Sequence, residues 1–289
     1  MIQFINVNKR YEHREVLEDI NIRIEDGTIL GLIGRNGAGK STFLRLIAGV
    51  VEADAGIVAF NQQQVFDNPN VQKEVFFVSD DAYFMTKATI KEMRDFYKVF
   101  YKNFDDGRFY ELLYLFDLDE DQSLNSFSKG MKRQVSLLLG IAARTKVLLL
   151  DEAFDGLDPL MRFKIRQMIS DEVATNKTIV IISSHNLQEL SDICDSVVIL
   201  DKNTIQMNYS QEEFLNSYHK YQIAFANDID PKVFANIETL RISGKSRIFT
   251  LLVKGNRSEI EAFLETLNPI LYEHDDTSLD EIFMAEVNI

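Results

Sequence analysis

The stretch Gly34-Arg35-Asn36-Gly37-Ala38-Gly39-Lys40-Ser41-Thr42 decides the fold. It follows the apolar run Ile29–Ile33 and precedes an amphipathic stretch that begins at Phe43, so the order is strand, glycine loop, helix. The spacing matches G-x-x-x-x-G-K-[ST], which requires that order. Glycines let backbone N–H groups close around an anion, and a helix N-terminus offers its positive end to the same anion. A plain glycine turn before a helix is the alternative.

Composition is that of an ordinary globular protein. The 289 residues are 46% hydrophobic and 26% charged, and the length suffices for one large domain and a small one. The formal net charge of −14 argues against nucleic acid as the main partner, because binding to its phosphates needs a basic surface. We therefore expect no nucleic-acid partner.

The sequence has no feature that predicts secretion or membrane insertion. Cys194 is the single cysteine and cannot form an internal disulfide, and the first residues lack a charged segment followed by an apolar core. The longest apolar run, from Val135 to Ala143, is far shorter than the ~20 residues that span a bilayer. We expect a cytoplasmic chain that depends on a partner for any membrane crossing.

Polar residues follow several apolar runs at the point where each predicted strand ends. Asp80 follows Val75–Val78, Asp151 and Glu152 close Val147–Leu150, and His185 follows the run that ends at Ile182. In a mostly parallel sheet these residues converge with the glycine loop on one edge. Two adjacent carboxylates that close a buried strand are costly unless they bind something, and a metal and a water are natural ligands. Taken singly, Asp80 also fits a turn residue and His185 a satisfied polar residue.

Three further segments frame this predicted edge. Residues 2–24 alternate apolar and polar positions, which predicts antiparallel strands around Tyr11, an aromatic in a polar turn that could stack on a flat ligand or be simply exposed. Residues 83–117 are rich in aromatics and predict a helix, with residues 83–85 as a candidate docking surface. Ser128 is placed as an N-cap before a strong helix whose start could bind an anion, although a plain cap explains it equally.

The character of the chain changes near residue 205. Residues 221–272 predict the order β-α-β-β-α-β, typical of a small ferredoxin-like domain, and residues 278–283 predict a short capped helix. The predicted division is therefore 1–210 and 211–289, with a helical subdomain at about 83–145.

Taken together, these residues resemble the ATP-binding subunit of an ABC transporter, over residues 1 to about 210. The resemblance implies an α/β P-loop NTPase fold with a mostly parallel core sheet, an antiparallel β subdomain, a helical subdomain and the small C-terminal α+β domain. It also implies ATP and Mg²⁺ as ligands. The residues implied to bind nucleotide are Tyr11, Gly34, Asn36, Gly37, Ala38, Gly39, Lys40, Ser41, Thr42, Asp80, Ser128, Gly130 and Asp158.

The same resemblance implies individual roles. Glu152, His185 and Lys40 are the implied catalytic residues, with Glu152 as the base for the attacking water, His185 near the γ-phosphate and Lys40 on the β- and γ-phosphates. The implied metal contacts come from Ser41, Asp80 and Asp151. Ser128 and Gly130 belong to a signature segment that in this family contacts ATP held by the other subunit.

Partners follow from the resemblance as well. It implies a second ABC ATPase subunit, identical or homologous, in a head-to-tail dimer around two ATP molecules, and an integral-membrane permease at the inner face of the cell membrane. The C-terminal segment is similar to tails on ATPases of bacterial ABC-2-type exporters of drugs, peptides or lipids, which favours export.

Two departures from the family pattern bear on function. The signature reads Phe127-Ser128-Lys129-Gly130-Met131 where Leu-Ser-Gly-Gly-Gln is general, and Asp80 stands where glutamine or glutamate is usual. Lys129 is expected to place a cation near the partner's phosphates. The alternatives to a transport motor are a soluble ABC-type ATP switch on a nucleic-acid or ribosomal partner, and a nucleotide-binding regulator that hydrolyses poorly.

Overall fold

The computed structural model describes residues 1–186, 188–191, 193–210, 216–275, 277, 281–282 and 285. The chain divides into two compact units, Met1–Asn208 and Tyr209–Ile289, which are described separately. The division predicted from sequence, between residues 210 and 211, stays a prediction. Within the described residues, none of the helices combines the length and apolarity needed to cross a membrane.

The larger unit is built from two sheets and the helices around them. Its strands are β1 (Ile2–Tyr11), β2 (Arg14–Ile24), β3 (Ile29–Gly34), β4 (Ala55–Phe60), β5 (Gln63–Gln64), β6 (Val75–Val78), β7 (Val147–Asp151), β8 (Ile179–Ser184), β9 (Ser196–Asp201) and β10 (Thr204–Ser210). Its helices are α1 (Lys40–Ile47), α2 (Pro69–Gln72), α3 (Ile90–Phe100), α4 (Asp106–Leu115), α5 (Lys129–Ala142), α6 (Pro159–Asn176) and α7 (Gln188–Ser191), with a 3₁₀ turn at Leu124–Ser126.

The strand order brings the predicted strand ends together. One sheet has the order β2-β1-β4-β5 with antiparallel neighbours, and the other has the order β10-β9-β3-β8-β7-β6. From β9 to β6 the neighbouring strands of this second sheet are parallel. The loops after β3, β6, β7 and β8 therefore lie at one edge. The predicted mostly parallel core and antiparallel β subdomain are confirmed.

Helix α1 packs between the two sheets and fixes the glycine loop that precedes it. The Phe43 ring stacks on Phe4 of β1 with centroids 4.4 Å apart and planes 5° apart. One buried cluster joins α1 to both sheets, with Leu44 and Ile47 among apolar residues of β1, β3, β7 and β8. The parallel strands are apolar on both faces, as expected for strands covered on both sides.

The predicted helix over residues 83–117 is wrong in its continuity. The structure has α3 and α4 instead, with a break at residues 101–105. Tyr101 leaves the helical conformation (φ −105°, ψ 93°), and the Asp105 carboxylate accepts the Arg108 N–H to cap a new helix. These local caps override the aromatic spacing, and Phe100 at the end of α3 is exposed. With α5, these two helices form the helical part of the unit.

The smaller unit has the predicted ferredoxin-like order. Its elements are β11 (Tyr218–Ala224), a helix at Pro231–Asn236, β12 (Glu238–Lys245), β13 (Ile248–Lys254), α8 (Arg257–Thr266) and β14 (Leu271–Asp275). The sheet order β12-β13-β11-β14 is antiparallel throughout. The first helix is 3₁₀ rather than α. The predicted helix over residues 278–283 lies outside the described residues except for 281–282.

We predict that the pKa of His219 is lower than that of an ordinary histidine. It is buried on β11 with its Nδ1 3.4 Å from Nε2 of His274, and burial, followed by the charge of His274, lowers the pKa of His219 below its ordinary value of 6.5. Since the unfolded chain then binds more protons near pH 6, the free energy of unfolding falls as the pH drops below about 6.5.

An NMR titration of the full-length chain, with the resonance assigned from His219→Asn, checks this prediction. His274→Asn removes the neighbouring charge and should raise the pKa of His219. A value above 6.5 in the unmodified protein would contradict the sign.

Candidate functional site

The glycine loop is shaped by two left-handed residues. Gly37 has φ 83° and Gly39 has φ 105°, conformations that L side chains rarely adopt. A Cβ on Gly39 would also lie 2.8 Å from the Val16 carbonyl oxygen of β2. Gly39 is the N-cap of α1 and provides no side-chain hydrogen bond, so the first N–H groups of the helix stay available to an anion.

The Lys40 side chain is buried and points back into the loop. Its Nζ donates to the Gly34 carbonyl oxygen at 2.8 Å and lies 3.3 Å from Oε1 of Glu152. Only 6% of the side chain is exposed, so the ammonium needs these oxygens to offset its loss of water. An anion with several oxygens at the α1 N-terminus can take the place of these contacts.

Glu152 links this lysine to His185. The imidazole Nδ1 of His185 lies 2.9 Å from Oε2 of Glu152, and this hydrogen bond raises the pKa of His185 above its ordinary value. The backbone of Glu152 is left-handed, with φ 48°, which is uncommon for a residue other than glycine. Ligand atoms of Glu152, Asp155 and His185 lie within 4.8 Å of one another. The Glu152 carboxylate thus lies between the Lys40 ammonium and a titratable imidazole.

Asp151 is held by a residue that the sequence analysis missed. Ser183 of β8 donates from Oγ to Oδ1 of Asp151 at 2.6 Å, and the same Oγ accepts the N–H of Glu152 at 3.0 Å. The Oδ2 atom of Asp151 makes no hydrogen bond to the described residues. The parallel register of β7 and β8 places Asp151 opposite Ser183, and a serine at a strand end carries no sequence signal for this contact.

A cavity of about 360 Å³ collects much of the predicted site. Its lining includes the predicted residues Asn36, Gly37, Gly39, Lys40, Ser41, Thr42, Asp80 and Glu152, together with Arg14 and Val16. Arg14 was not predicted; its Nη2 donates to the Gly37 carbonyl oxygen at 3.5 Å. Gly34 and Ala38 belong to the wall of the loop itself, where the Ala38 N–H donates to the Arg35 carbonyl oxygen at 3.0 Å.

Asp80 lies at the cavity with its carboxylate already engaged. Oδ1 accepts from Lys129 Nζ at 3.0 Å and forms a second ion pair with Arg133. Partial burial raises the pKa of Asp80, but the two cations, Lys129 foremost, lower it by more, so the pKa lies below its ordinary value. The predicted metal contact of Asp80 stays a prediction.

The remaining predicted residues lie at helix ends or, in the case of Tyr11, at the end of β1 rather than in the predicted turn. Ser128 caps α5 by accepting the Met131 N–H at 3.2 Å, and Asp158 caps α6 by accepting the Met161 N–H at 2.9 Å. Gly130 lies so close to the Gly156 turn that a Cβ would come within 3.1 Å of its carbonyl oxygen. The Tyr11 ring is exposed, with Lys9 Nζ 5.4 Å from its centroid. Their roles toward a nucleotide stay predictions.

The fold and the cavity define a P-loop ATPase, with the glycine loop, its lysine and the strand-end acids at the carboxyl edge of a parallel sheet. Comparison with known proteins makes the class specific. A family model described as ABC transporter matches residues 17–155. The ABC transporter ATP-binding protein YtrB of Bacillus subtilis is 32% identical over 287 residues, covering 99% of this chain and 98% of YtrB. The chain belongs to the family of ABC transporter ATP-binding proteins.

Other relatives include proteins named for export and for import. The lipopolysaccharide export system ATP-binding protein LptB of Escherichia coli is 26% identical, covering 77% of this chain and 96% of LptB. The sulfate/thiosulfate import ATP-binding protein CysA 2 of Shewanella oneidensis is 31% identical, covering 73% of this chain and 62% of CysA 2. The chain is thus an ATP-binding ATPase subunit of a transporter.

Solved structures match the larger part of the chain. A structure of an ATP-binding subunit of an ABC transporter has 25% identity and a TM-score of 0.69, covering 74% of this chain and 91% of its own. A dimeric ATP-binding cassette in a post-hydrolysis state with ADP and Pi has 18% identity and a TM-score of 0.65, covering 73% of this chain and 99% of its own. The second likeness concerns the fold alone.

We predict that Ser183→Ala lowers turnover more than nucleotide affinity. Losing its hydrogen bonds to a carboxylate and to the Glu152 backbone should lower kcat by roughly 10- to 100-fold, the effect of a hydrogen bond to a charged group. Steady-state ATP hydrolysis and titration with a fluorescent ATP analogue separate the two effects. Ser136→Ala, at a serine buried on α5, is the matched control. A loss of affinity at unchanged kcat would contradict the role.

Proposed function

We propose that this chain is the motor subunit of a bacterial ABC exporter, in which Glu152 is the base for ATP hydrolysis. One observation carries the proposal: Lys40 and His185 contact opposite oxygens of the Glu152 carboxylate, at 3.3 and 2.9 Å, beside the phosphate loop. Phosphoryl transfer depends mainly on positioning and charge stabilisation. Lys40 binds the β- and γ-phosphates, Glu152 orients and deprotonates the attacking water, and His185 stays near the γ-phosphate.

The residues present fit Mg²⁺ beside these phosphates. Asp151 is buried with one oxygen bonded to Ser183 and the other without a hydrogen bond to the described residues, and Ser41 lines the cavity at the glycine loop. Carboxylate and hydroxyl oxygens are the donors that Mg²⁺ prefers. Ser41 and Asp151 would hold the ion, which when bound neutralises charge on the β- and γ-phosphates.

The proposal includes a head-to-tail dimer of two such subunits, identical or homologous, around two ATP molecules. Its support is the start of α5, where Gly130 lies beside the Gly156 turn, and neither Ser128 nor Gly130 is among the residues that line the cavity with Lys40. A segment of that kind can contact a nucleotide held by another subunit. One structural relative, the ATP-binding cassette with ADP and Pi, is dimeric, which agrees with this arrangement.

We place the subunit at the cytoplasmic face of the membrane, bound to a separate permease. The support is its membership of a transporter family and the absence of a membrane-crossing helix among the described residues. Export is favoured by the likeness of the C-terminal segment to the tails of exporter ATPases. Relatives named for import make the direction a question for experiment.

The direction of transport can be tested on the complex purified from native membranes with the tagged chain. In proteoliposomes, ATP added outside reaches only ATPase subunits that face outward. Under the export proposal, a transported compound stimulates ATP hydrolysis when it is added on the ATP side. Stimulation only from the lumen would establish import.

Glu152→Gln is expected to lower ATP turnover by about 10² to 10⁴-fold, the usual contribution of a positioned base, while ATP binding persists. Because hydrolysis no longer separates the subunits, gel filtration in Mg-ATP should show an ATP-dependent dimer of the variant. Glu259→Gln, at an exposed residue of α8, is the control and should behave as the unmodified chain. Unchanged turnover in Glu152→Gln would remove Glu152 from the role of base.

The segment at residues 83–85 is proposed as part of the permease contact. Tyr83 is 77% exposed, residues 84 and 85 are half-buried, and the segment lies in the same loop between β6 and α3 as Asp80. The double variant Tyr83→Ala/Phe84→Ala should lose permease binding in a co-purification assay while the ATPase activity of the isolated chain is kept. Tyr114→Ala, at a residue that is 90% exposed on α4, serves as the control. Retained permease binding and transport would rule out this surface.

A further inference from the structure

The two positions named in the sequence analysis as departures from the general family pattern contact each other. Asp80 lies in the loop after β6, and Lys129 is the first residue of α5. Lys129 Nζ lies 3.0 Å from Oδ1 of Asp80, although the two residues are 49 positions apart in the chain. The unusual carboxylate and the unusual ammonium are thus partners in one ion pair.

A second cation on α5 contacts the same carboxylate oxygen. Arg133 stands one helical turn beyond Lys129 and forms an ion pair with Oδ1 of Asp80. Its Nη2 also donates to the Asp80 carbonyl oxygen at 3.2 Å, and its Nη1 donates to the carbonyl oxygen of Asp155. The guanidinium therefore joins three segments: the loop after β6, helix α5 and the turn after β7.

Arg133 is the buried member of this group, and its guanidinium therefore requires a negatively charged partner. The Arg133 side chain is 4% exposed and Lys129 is 69% exposed. Within the described part of the chain, Asp80 is the carboxylate paired with Arg133. A buried guanidinium without a negative partner is strongly destabilising, whereas an exposed ion pair contributes little. A glutamine at position 80 could accept a hydrogen bond but would leave two neighbouring cations without a charge to balance them.

We propose that Asp80, Lys129 and Arg133 form an ionic clamp within one subunit, and that the carboxylate at position 80 and the lysine at position 129 are a matched pair. In this clamp Asp80 is a positioning residue for the start of α5. Arg133 carries the effect to Asp155, whose N–H donates to the Glu152 carbonyl oxygen at 3.2 Å. The clamp thereby sets the turn that follows Glu152. Its effect on turnover rests on the proposed function, while the contacts themselves do not.

A double-mutant cycle in the full-length chain tests the clamp. Asp80→Gln and Lys129→Gly each remove one partner, and the double variant restores the residue types that are general in the family at both positions. The intrinsic penalty of glycine at a helix start is equal in both backgrounds and cancels. We expect each single change to lower kcat/KM. Because the Asp80–Lys129 ion pair is exposed, the kcat/KM of the double variant should exceed the value given by the product of the single effects by about 2- to 5-fold.

A structural readout accompanies the kinetics. Hydrogen exchange of the nucleotide-free chain should show faster exchange at residues 128–133 and 153–158 in Asp80→Gln and in Arg133→Lys, because one ammonium cannot reach both Asp80 and Asp155 as the guanidinium does. Asp81→Asn and Lys132→Gly are the matched controls, since they change neighbouring charges outside the clamp. The pair Asp80→Gln/Lys132→Gly should be additive.

The outcomes separate the clamp from the ATPase mechanism. Coupling between positions 80 and 129, together with the exchange changes, supports the clamp even if the isolated chain hydrolyses no ATP, since exchange is measured without nucleotide. Additive effects with unchanged exchange overturn it and leave the role of Glu152 intact. A raised half-saturating Mg²⁺ concentration in Asp80→Gln that is independent of Lys129 also overturns it, because Asp80 would then act on the metal.

Discussion

The buried ammonium of Lys40 is the constraint on which the site depends. At 6% exposure it must be surrounded by oxygens, and it obtains them from the Gly34 carbonyl and the Glu152 carboxylate. The first requires a loop that turns its backbone inward, which Gly37 and Gly39 permit through positive φ angles. The second requires the end of β7 to lie near the end of β3. The sheet order satisfies this, because β8 is hydrogen-bonded to both strands.

Much of the fold could be predicted because it is written in local patterns. Continuous apolar runs identified the buried parallel strands, and the polar residues after them identified the edge at which they end. Helix boundaries were less accessible. The prediction over residues 83–117 followed the aromatic spacing and did not include the cap at Asp105. The short 3₁₀ segment at Pro231–Asn236 has the same apolar spacing as an α-helix. A capping interaction, the Asp105 carboxylate with the Arg108 N–H, sets the start of α4.

The site was predictable where residue type and strand position coincide, and not where contacts cross the chain. Ser183 meets Asp151 through the register of two parallel strands, and register leaves no mark on spacing. Arg133 contacts Asp80, which is 53 positions away in the chain. Its side chain is buried, and the pattern of charges in the sequence does not predict this burial. Spacing along the chain predicts which residues lie at the carboxyl edge of the parallel sheet. The side chains that contact and orient these residues are known only from the folded structure.

The left-handed backbone at Glu152 has a consequence for how this chain can change. A residue other than glycine in that conformation costs roughly 1 to 3 kcal/mol, so the protein keeps a strained residue at the position of the proposed base. Glycine or asparagine would relax the backbone while removing the carboxylate. Stability and turnover therefore favour different residues at this position. Variants selected for heat resistance alone should replace glutamate at this position. Loss of the glutamate would then identify sequences that keep the fold but no longer hydrolyse ATP.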